Sequence, residues 1–364
     1  MDLRDLRGVT QVEVAREVNV TQAFLSRVEK GERPLPETMA SELAEIYGLP
    51  VSFFRVVDSQ GLGANFTFWK KSRATVRDER RIGMYFRESE RGFAALSQAQ
   101  EQKTFTDNRH QIFELAGESD DAVDPELLAA VVRDLCGLGA REPVRSITRV
   151  IERLGIGVIA KLDDRENMSD HLGISRPHSR NSRPVVAVVA KTSGEELRFA
   201  LGHELGHLLF DNENTRISGT RSEEEYRAHA FSSALFVSNS EMRSRVHERL
   251  PLHGFLPIKA DYGIGVKALI VRSYRLGLIS SDRYRSLMIQ YSSRGWNHGE
   301  PVEVGQEKQA LYRQLMENRY GPSGTHGMAD DLGIEQESLK RWVDYTTETK
   351  VNDKSNVISL FGGR

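Results

Sequence analysis

LRFALGHELGHLLF, residues Leu197 to Phe210, decides the fold of this 364-residue chain, because it reads as one continuous helix carrying H-E-x-x-H. His203 and His207 stand four positions apart, so both imidazoles leave the same helix face and can reach one ion. Glu204 lies alongside, placed to take a proton from a water molecule at that ion. This is the chemistry of a zinc hydrolase; the competing reading is an amphipathic helix with two incidental histidines. Leu197, Phe199, Leu201, Leu205, Leu208 and Leu209 leave hardly any face for solvent. Such a helix is buried, and two histidines and a glutamate inside it need partners. Upstream, PVVAVVA (Pro184 to Ala190) is a short apolar run of strand type, and Thr192 or Ser193 can cap the helix that follows.

A third ligand is expected from SEEEYRAHAFSSALF, Ser222 to Phe236. Ala228, Phe231, Leu235 and Phe236 fall at helical spacing, so this is a second helix, and Glu225 stands one turn before Ala228. Glu225 is the expected third metal ligand. Two other readings stay open: Ser222-x-x-Glu225 is also a capping box, in which the glutamate would only close the helix N-terminus, and Glu224 is the neighbouring alternative for the ligand. Glu223 and Glu224 also suit a first turn through the helix dipole.

With these motifs in view, the chain resembles the ImmA/IrrE family of metallopeptidases, whose hallmark is a strand, a helix with H-E-L-G-H and a later helix of the form E-x-x-A-N-x-F-A-A-x-L-L-M-P. The later helix here reads E-Y-R-A-H-A-F-S-S-A-L-F-V-S, so the resemblance implies Glu225 as ligand beside His203 and His207, Zn2+ as cofactor and Glu204 as the catalytic base. His229 replaces the usual amide, and Val237-Ser238 replaces Met-Pro. In the broader thermolysin-like pattern the position of His229 supports a zinc histidine from behind. Imidazole can accept a hydrogen bond from a histidine N–H there, or itself approach the metal. A metzincin is excluded, because Leu208 to Asn214 offers no H-x-x-G-x-x-H continuation.

Residues 3 to 55 read as short helices: LRDLRG, then Thr10 capping QVEVAREV, TQAFLSRVEKG and PETMASELAEIYG. They resemble the XRE, or lambda-repressor-like, helix-turn-helix, through Leu-x-x-x-x-Gly-Val-Thr-Gln at Leu3 to Gln11, Val-Thr-Gln at Val20 to Gln22, and Leu-Ser-Arg-Val-Glu-Lys-Gly at Leu25 to Gly31. The resemblance implies a recognition helix over Thr21 to Lys30, with Gln22, Ala23 and Phe24 facing bases of double-stranded operator DNA. Gln11 then contacts phosphate, and Arg27 is a backbone contact or a structural pair. The competing reading is a bundle for protein contacts only, since seven glutamates from Glu13 to Glu45 answer the basic residues and phosphate binding usually shows as positive excess.

Ordinary apolar and charged content, 39% and 28% of 364 residues, suggests two or three domains with ample chain for a core. A net charge of -2 gives no global pull towards nucleic acid or membrane. The single cysteine, Cys136, excludes an internal disulfide framework and a cysteine-rich zinc site; it sits in an apolar pattern as a core thiol. No signal peptide and no apolar run of spanning length is present, so a soluble, cytoplasmic protein without membrane contact is expected.

Between Phe54 and Asp124 periodicity is weak. Lys70, Lys71, Arg73, Arg77, Arg80, Arg81, Arg87 and Arg91 interleave with Phe66, Phe68, Trp69, Tyr85, Phe86 and Phe93. This is either an auxiliary nucleic-acid surface with stacking platforms or, the better reading, a linker helix whose aromatics pack on the next domain. VRSITRVIERLG then reads as a helix, IGVIAKL as a strand, and Asp163 to Arg183 as a polar loop rimming the site, in which His171 and His178 are candidate oxyanion or substrate contacts, though surface histidines are commoner. Near the C-terminus Trp296 reads as core and MADDLGIEQESLKRWVDY as a packing helix pair.

The expected architecture is α+β: an all-α helix-turn-helix bundle (1–60), a linker or helical region (61–124), a zincin-type metallopeptidase domain with a small sheet and the H-E-x-x-H helix (125–300), a helical extension (301–348) and a polar tail (349–364). The expected function is a zinc-dependent endopeptidase coupled to transcriptional regulation. The resemblance implies a repressor or similar protein as substrate, in a stress or mobile-element response, and a two-fold operator site points to a homodimer. The rival is a DNA-binding regulator or antitoxin whose zincin domain serves as sensor or docking module without turnover.

Overall fold

Four short strands form the sheet: β1 (Thr67–Lys70), β2 (Gly157–Ile159), β3 (His171–Ser175) and β4 (Val185–Val188), in the order β1-β3-β4-β2. The computed structural model describes the chain except residues 1, 57–66, 71–74, 99–103, 118–122, 165–170, 177–182, 190–191, 212–221 and 344–364. β2 runs parallel to β4, whereas β3 is antiparallel to both β4 and β1. Every residue of β2 and β4 is buried, because the sheet is covered on both faces, as an unbroken apolar run such as VVAV requires.

The covering helices follow the chain. α1 (Asp2–Arg7), α2 (Gln11–Glu17), α3 (Gln22–Glu29) and α4 (Glu37–Tyr47) make the N-terminal bundle. α5 (Val76–Ser97), α6 (Phe105–Ala116), α7 (Pro125–Leu135) and α8 (Ile147–Arg153) precede β2. After β4 come α9 (Gly194–Phe210), which carries H-E-x-x-H, and α10 (Glu223–Phe236). α11 (Asn239–Arg245), α12 (Leu256–Tyr262), α13 (Val266–Arg275), α14 (Ser281–Ser293), α15 (Leu311–Tyr320), α16 (Thr325–Leu332) and α17 (Gln336–Val343) complete the described chain. The α+β class expected from the sequence is the class observed. No helix of the described residues is long and apolar enough to cross a membrane.

Strand alternation splits the core in two. Val158, Val186 and Val188 face Leu201, Leu205 and Leu208 of α9, in a core shared with Phe231 and Leu235 of α10 and with Trp296. Ile159, Val185, Ala187 and Ile174 face the other way, into a core shared with Phe86 and Phe93 of α5, Tyr312 of α15, Trp342 of α17, and Leu3, Leu6 and Leu43 of the N-terminal bundle. Tyr85, Phe86 and Phe93 are buried, so these aromatics are core and not stacking platforms, and the packing-helix reading of this stretch holds for them. Arg81 on α5 donates to the Leu6 carbonyl at 2.7 Å and to the buried Asp163 carboxylate at 3.0 Å, clamping α1 to the sheet. Cys136 is half-buried against the first core, where burial pushes its thiol pKa up.

One expectation is corrected. The loop from Asp163 to Arg183 contains β3, because HLGIS pairs with β4 at Gly173↔Val188 and Ile174↔Ala187; its two apolar residues are too few to show a period. Phe66, Lys71, Arg73, His178 and the 349–364 tail lie outside the described residues.

α9 starts at Ser193, which forms a capping box with Glu196, and it ends at Asp211. It lies against α10 through small residues: a Cβ on Gly206 would stand 2.9 Å from the Ala228 Cα, and one on Gly202 2.7 Å from the Ser232 Oγ. Gly202 opposing Ser232 while Gly206 opposes Ala228 means that the two helices run antiparallel. Gly206→Ala is therefore expected to push α10 off α9, at a cost of about 1–3 kcal/mol, read by urea unfolding. Gly139→Ala, with nothing among the described residues within 4 Å of its Cβ, is the control. Equal unfolding midpoints for the two variants would show that the helix contact carries no such constraint.

Candidate metal centre and helix-turn-helix face

The antiparallel contact of α9 with α10 brings the first group of site residues together. His203 and His207 are completely buried, with Nε2 atoms 3.0 Å apart and rings edge to face at 4.6 Å. From α10 the Glu225 carboxylate reaches both, at 3.4 Å from His203 Nε2 and 3.5 Å from His207 Nε2. Ser222 caps α10 by accepting from the Glu225 backbone N–H, so the cap uses the backbone of Glu225 while its carboxylate points at the histidines. Glu225 is buried and Glu224 only half-buried.

Burial opposes charge throughout the group, and the hydrogen bonds decide where charge resides. On Glu225 burial is outweighed by hydrogen bonds with His203 and His207, which hold its pKa well below the usual carboxylate range. Burial drives His203 down to about 3. On His207 burial is outweighed by hydrogen bonds to Asp211 and Glu225, which lift it to about 10. Asp211 was missed by the reading of the sequence. As the C-cap residue of α9 it stands four residues after His207, and its Oδ2 accepts from His207 Nδ1 at 2.6 Å. That bond orients the ring and directs Nε2 towards Glu225. The i, i+4 spacing was the available signal.

His229 is half-buried: its ring lies 4.5 Å from that of His203 and 5.5 Å from Phe199, and burial lowers its pKa to about 4. His203, Glu225 and His229 offer ligand atoms all within 4.8 Å of one another. His229 also lines a cavity of about 630 Å³ together with Phe199, Val271, Arg275 and Trp296.

Glu204 is fully buried, and β3 fixes it. The Ser175 hydroxyl donates to Glu204 Oε2, and a Cβ on Gly173 would stand 2.3 Å from Oε1, so only glycine lets the carboxylate lie there. Ser175 and Gly173 were hidden in the stretch read as loop. Burial pushes the Glu204 pKa up to about 7, against the opposing pull of His207 and Ser175. The donor set, two imidazoles and a carboxylate converging in a buried space, fits a metal ion. A second sign is Glu204 Oε1, a buried oxygen with no hydrogen-bond partner among the described residues.

At the other end of the chain, Thr21 caps α3 by accepting from the Phe24 N–H at 3.2 Å. Thr21, Gln22, Ala23 and Arg27 are exposed; Phe24 is half-buried, with the Arg33 guanidinium 4.5 Å over its ring. Gln11 and Gln22 are joined: Gln22 Nε2 donates to Gln11 Oε1 at 3.2 Å, and Gln11 Nε2 to Glu29 at 2.9 Å. Arg4 grips the same Glu29 through two nitrogens, at 2.6 and 2.9 Å, so this acid is neutralised inside the bundle. His171 opens β3, well apart in sequence from His203, His207 and Glu225.

Comparison with known families covers both ends. Residues 1–54 match the helix-turn-helix family and residues 151–274 match the IrrE N-terminal-like domain of the M78 peptidases. No curated protein and no solved structure matches the chain. His203, Glu204, His207, Asp211, Glu225 and His229 all fall within the second match.

Glu204 gives a pH signature in chelator-treated protein. Between pH 4.5 and about 7 the unfolded chain releases a proton that folded Glu204 keeps. The folded state binds the extra proton, so this group makes stability fall as pH rises across that window. Glu204→Gln lacks the effect. The variant is expected to gain on the wild type from pH 4.5 to pH 7.5, by up to about 3 kcal/mol, in denaturant melts at both pH values. A constant difference would refute the raised pKa.

Proposed function

We propose that this chain, which joins a helix-turn-helix domain to an IrrE N-terminal-like domain, is a zinc-dependent endopeptidase coupled to transcriptional regulation. The observation that carries the reading is the convergence of His203, His207 and Glu225 on one buried point with Glu204 beside it. His203, His207 and Glu225 would hold the ion. Zinc bound there supplies Lewis acidity, which lowers the pKa of water and polarises a peptide carbonyl.

The chain's own groups do the rest. Glu204 takes the proton of the attacking water and later gives it to the leaving amine; a carboxylate raised towards neutrality by burial suits both steps. Ser175 and Gly173 hold that carboxylate in one orientation, and Asp211 holds His207. His229 backs His203. The substrate class is a protein, and a repressor or other DNA-associated protein is favoured, because a DNA-tethered peptidase meets few other targets. At the N-terminus, Thr21, Gln22, Ala23, Phe24 and Arg27 of α3, with Gln11 behind them, would face double-stranded DNA, as a dimer on a two-fold site.

Elemental analysis and cleavage assays separate structure from chemistry. The wild type is expected to hold about one zinc per chain. Glu204→Gln should retain the metal while losing cleavage by roughly two to four decades. His203→Ala and Glu225→Ala should lose the metal; if Glu224→Ala loses it and Glu225→Ala does not, the ligand is one residue away. A wild-type protein that cannot be loaded with zinc refutes the enzyme.

The DNA half is read by gel shift on the promoter region of the gene that encodes the chain. Changing Gln22 and Arg27 together to alanine should weaken binding at least tenfold. Unchanged binding would move the bundle to protein contacts.

A further inference from the structure

β3 does two things at once. Through Gly173 and Ser175 it seats Glu204, and its edge away from β4 is taken by β1. The pairing is antiparallel, with Thr67 opposite Ser175, Phe68 opposite Ile174 and Trp69 opposite Gly173. The backbone of residues 67–69 therefore runs past the very positions of β3 that hold the hydrolytic base. Neighbouring strands lie about 4.8 Å apart, so no second strand fits between β1 and β3.

An extended peptide recognises a sheet by adding a strand to a free edge, where main-chain hydrogen bonds give affinity without regard to sequence. The edge of β3 is the one nearest Glu204, and the resident strand there comes from another part of the chain, between the helix-turn-helix bundle and α5. β1 is short, with a register shift between Trp69 and Lys70, so few main-chain hydrogen bonds hold it. It forms no part of the parallel β2–β4 pair.

We infer that β1 is an internal occupant of the peptide-binding edge of β3, so that the chain's own residues Thr67–Lys70 sit where an extended substrate segment must lie. The inference rests on the reading of Glu204 as the base of a peptidase. A substrate must displace β1, and because β1 is tethered it competes at a high effective concentration. Any event that draws β1 away, acting through the bundle on one side or α5 on the other, opens the site. The alternative is that β1 is an ordinary edge strand and that substrate binds elsewhere.

The test measures binding, not turnover, so that its outcome is separate from that of the peptidase reading. A fluorescent peptide of residues 64–73 (ANFTFWKKSR) is titrated into the full chain carrying Glu204→Gln. Proline at Phe68 or Trp69 removes a backbone N–H from β1, and in an antiparallel pair only alternate residues bond to a given neighbour. One of the two single variants should therefore bind the peptide at least tenfold more tightly than the parent, and the other should resemble the parent. Amide hydrogen exchange follows the same edge: residues 173–175 should exchange faster in the active variant and regain protection when peptide is added.

Equal affinity in both variants and the parent, or peptide that leaves exchange at 173–175 unchanged, overturns the inference. Should the active variant lose its fold, visible as a lost thermal transition, the parent still decides: peptide at saturating concentration must displace β1 and raise exchange at residues 67–70. Zinc content and Glu204-dependent cleavage test the peptidase reading independently. A chain that binds peptide at this edge but cuts nothing would lose the peptidase reading and keep β1 only as a displaceable occupant of the edge of β3.

Discussion

Gly206 on α9 against Ala228 on α10 is the contact that brings Glu225 to His203 and His207. Two helices rarely come so near unless both present small side chains at the crossing, and here Gly202 and Gly206 meet Ser232 and Ala228 in reverse order. That approach carries Glu225 to 3.4 and 3.5 Å from the two histidines. One added methyl group at Gly206 would widen the gap and leave a buried carboxylate facing imidazoles it no longer reaches. The surrounding apolar core supplies the rigidity, since Leu201, Leu205 and Leu208 pin α9 to the sheet and Phe231 and Leu235 pin α10. The electrostatics follow from the packing: Glu225 stays ionised in a buried place because His203 and His207 are held close enough to donate to it.

Much of this was legible in the sequence, for reasons specific to each element. α9 announces itself through apolar residues on every face and two histidines one turn apart, and Val185–Val188 through an unbroken apolar run; both signals are local. The N-terminal helices are equally local, with caps at Thr10 and Thr21. β3 was not legible, because Leu172 and Ile174 on either side of a glycine are too few to mark a period, and the strand is defined by its partners on both sides. Asp211 and Ser175 act through contacts with His207 and Glu204 that depend on where α9 stops and where β3 runs. α5 was half legible: its aromatics could be read as packing residues, but the face they bury is made by α15, α17 and the rear of the sheet.

The rear face of the sheet has a further consequence. Ile159, Val185 and Ala187 share one core with Leu3, Leu6 and Leu43 of the N-terminal bundle, and Arg81 bridges the Leu6 carbonyl to Asp163, which follows β2. Arg7 adds an ion pair of 2.5 Å to Glu335, just before α17. The bundle is thus fastened to the same sheet whose other face carries α9. Pulling it away would expose apolar surface and take the Leu6 carbonyl from the Arg81 guanidinium, whose other side stays paired with the completely buried Asp163; a buried donor left without its acceptor costs about 1–3 kcal/mol.

Docking does not consume the face of the bundle that α3 presents. α1 makes the contact with α5, while Thr21, Gln22, Ala23 and Arg27 remain exposed. The Gln11–Gln22 bond and the Arg4–Glu29 pair set the angle between α1, α2 and α3 from within. A duplex meeting α3 therefore has no need to release the bundle from the sheet, and release is the costly step. The contact of α1 with α5 continues through Arg81 to Asp163, and through Ile82 and Phe86 into the core that holds Ile174, Val185 and Ala187 of β3 and β4. β3 is the common term: its Ile174 lies in the core shared with the bundle, and the residues on either side of Ile174 hold Glu204.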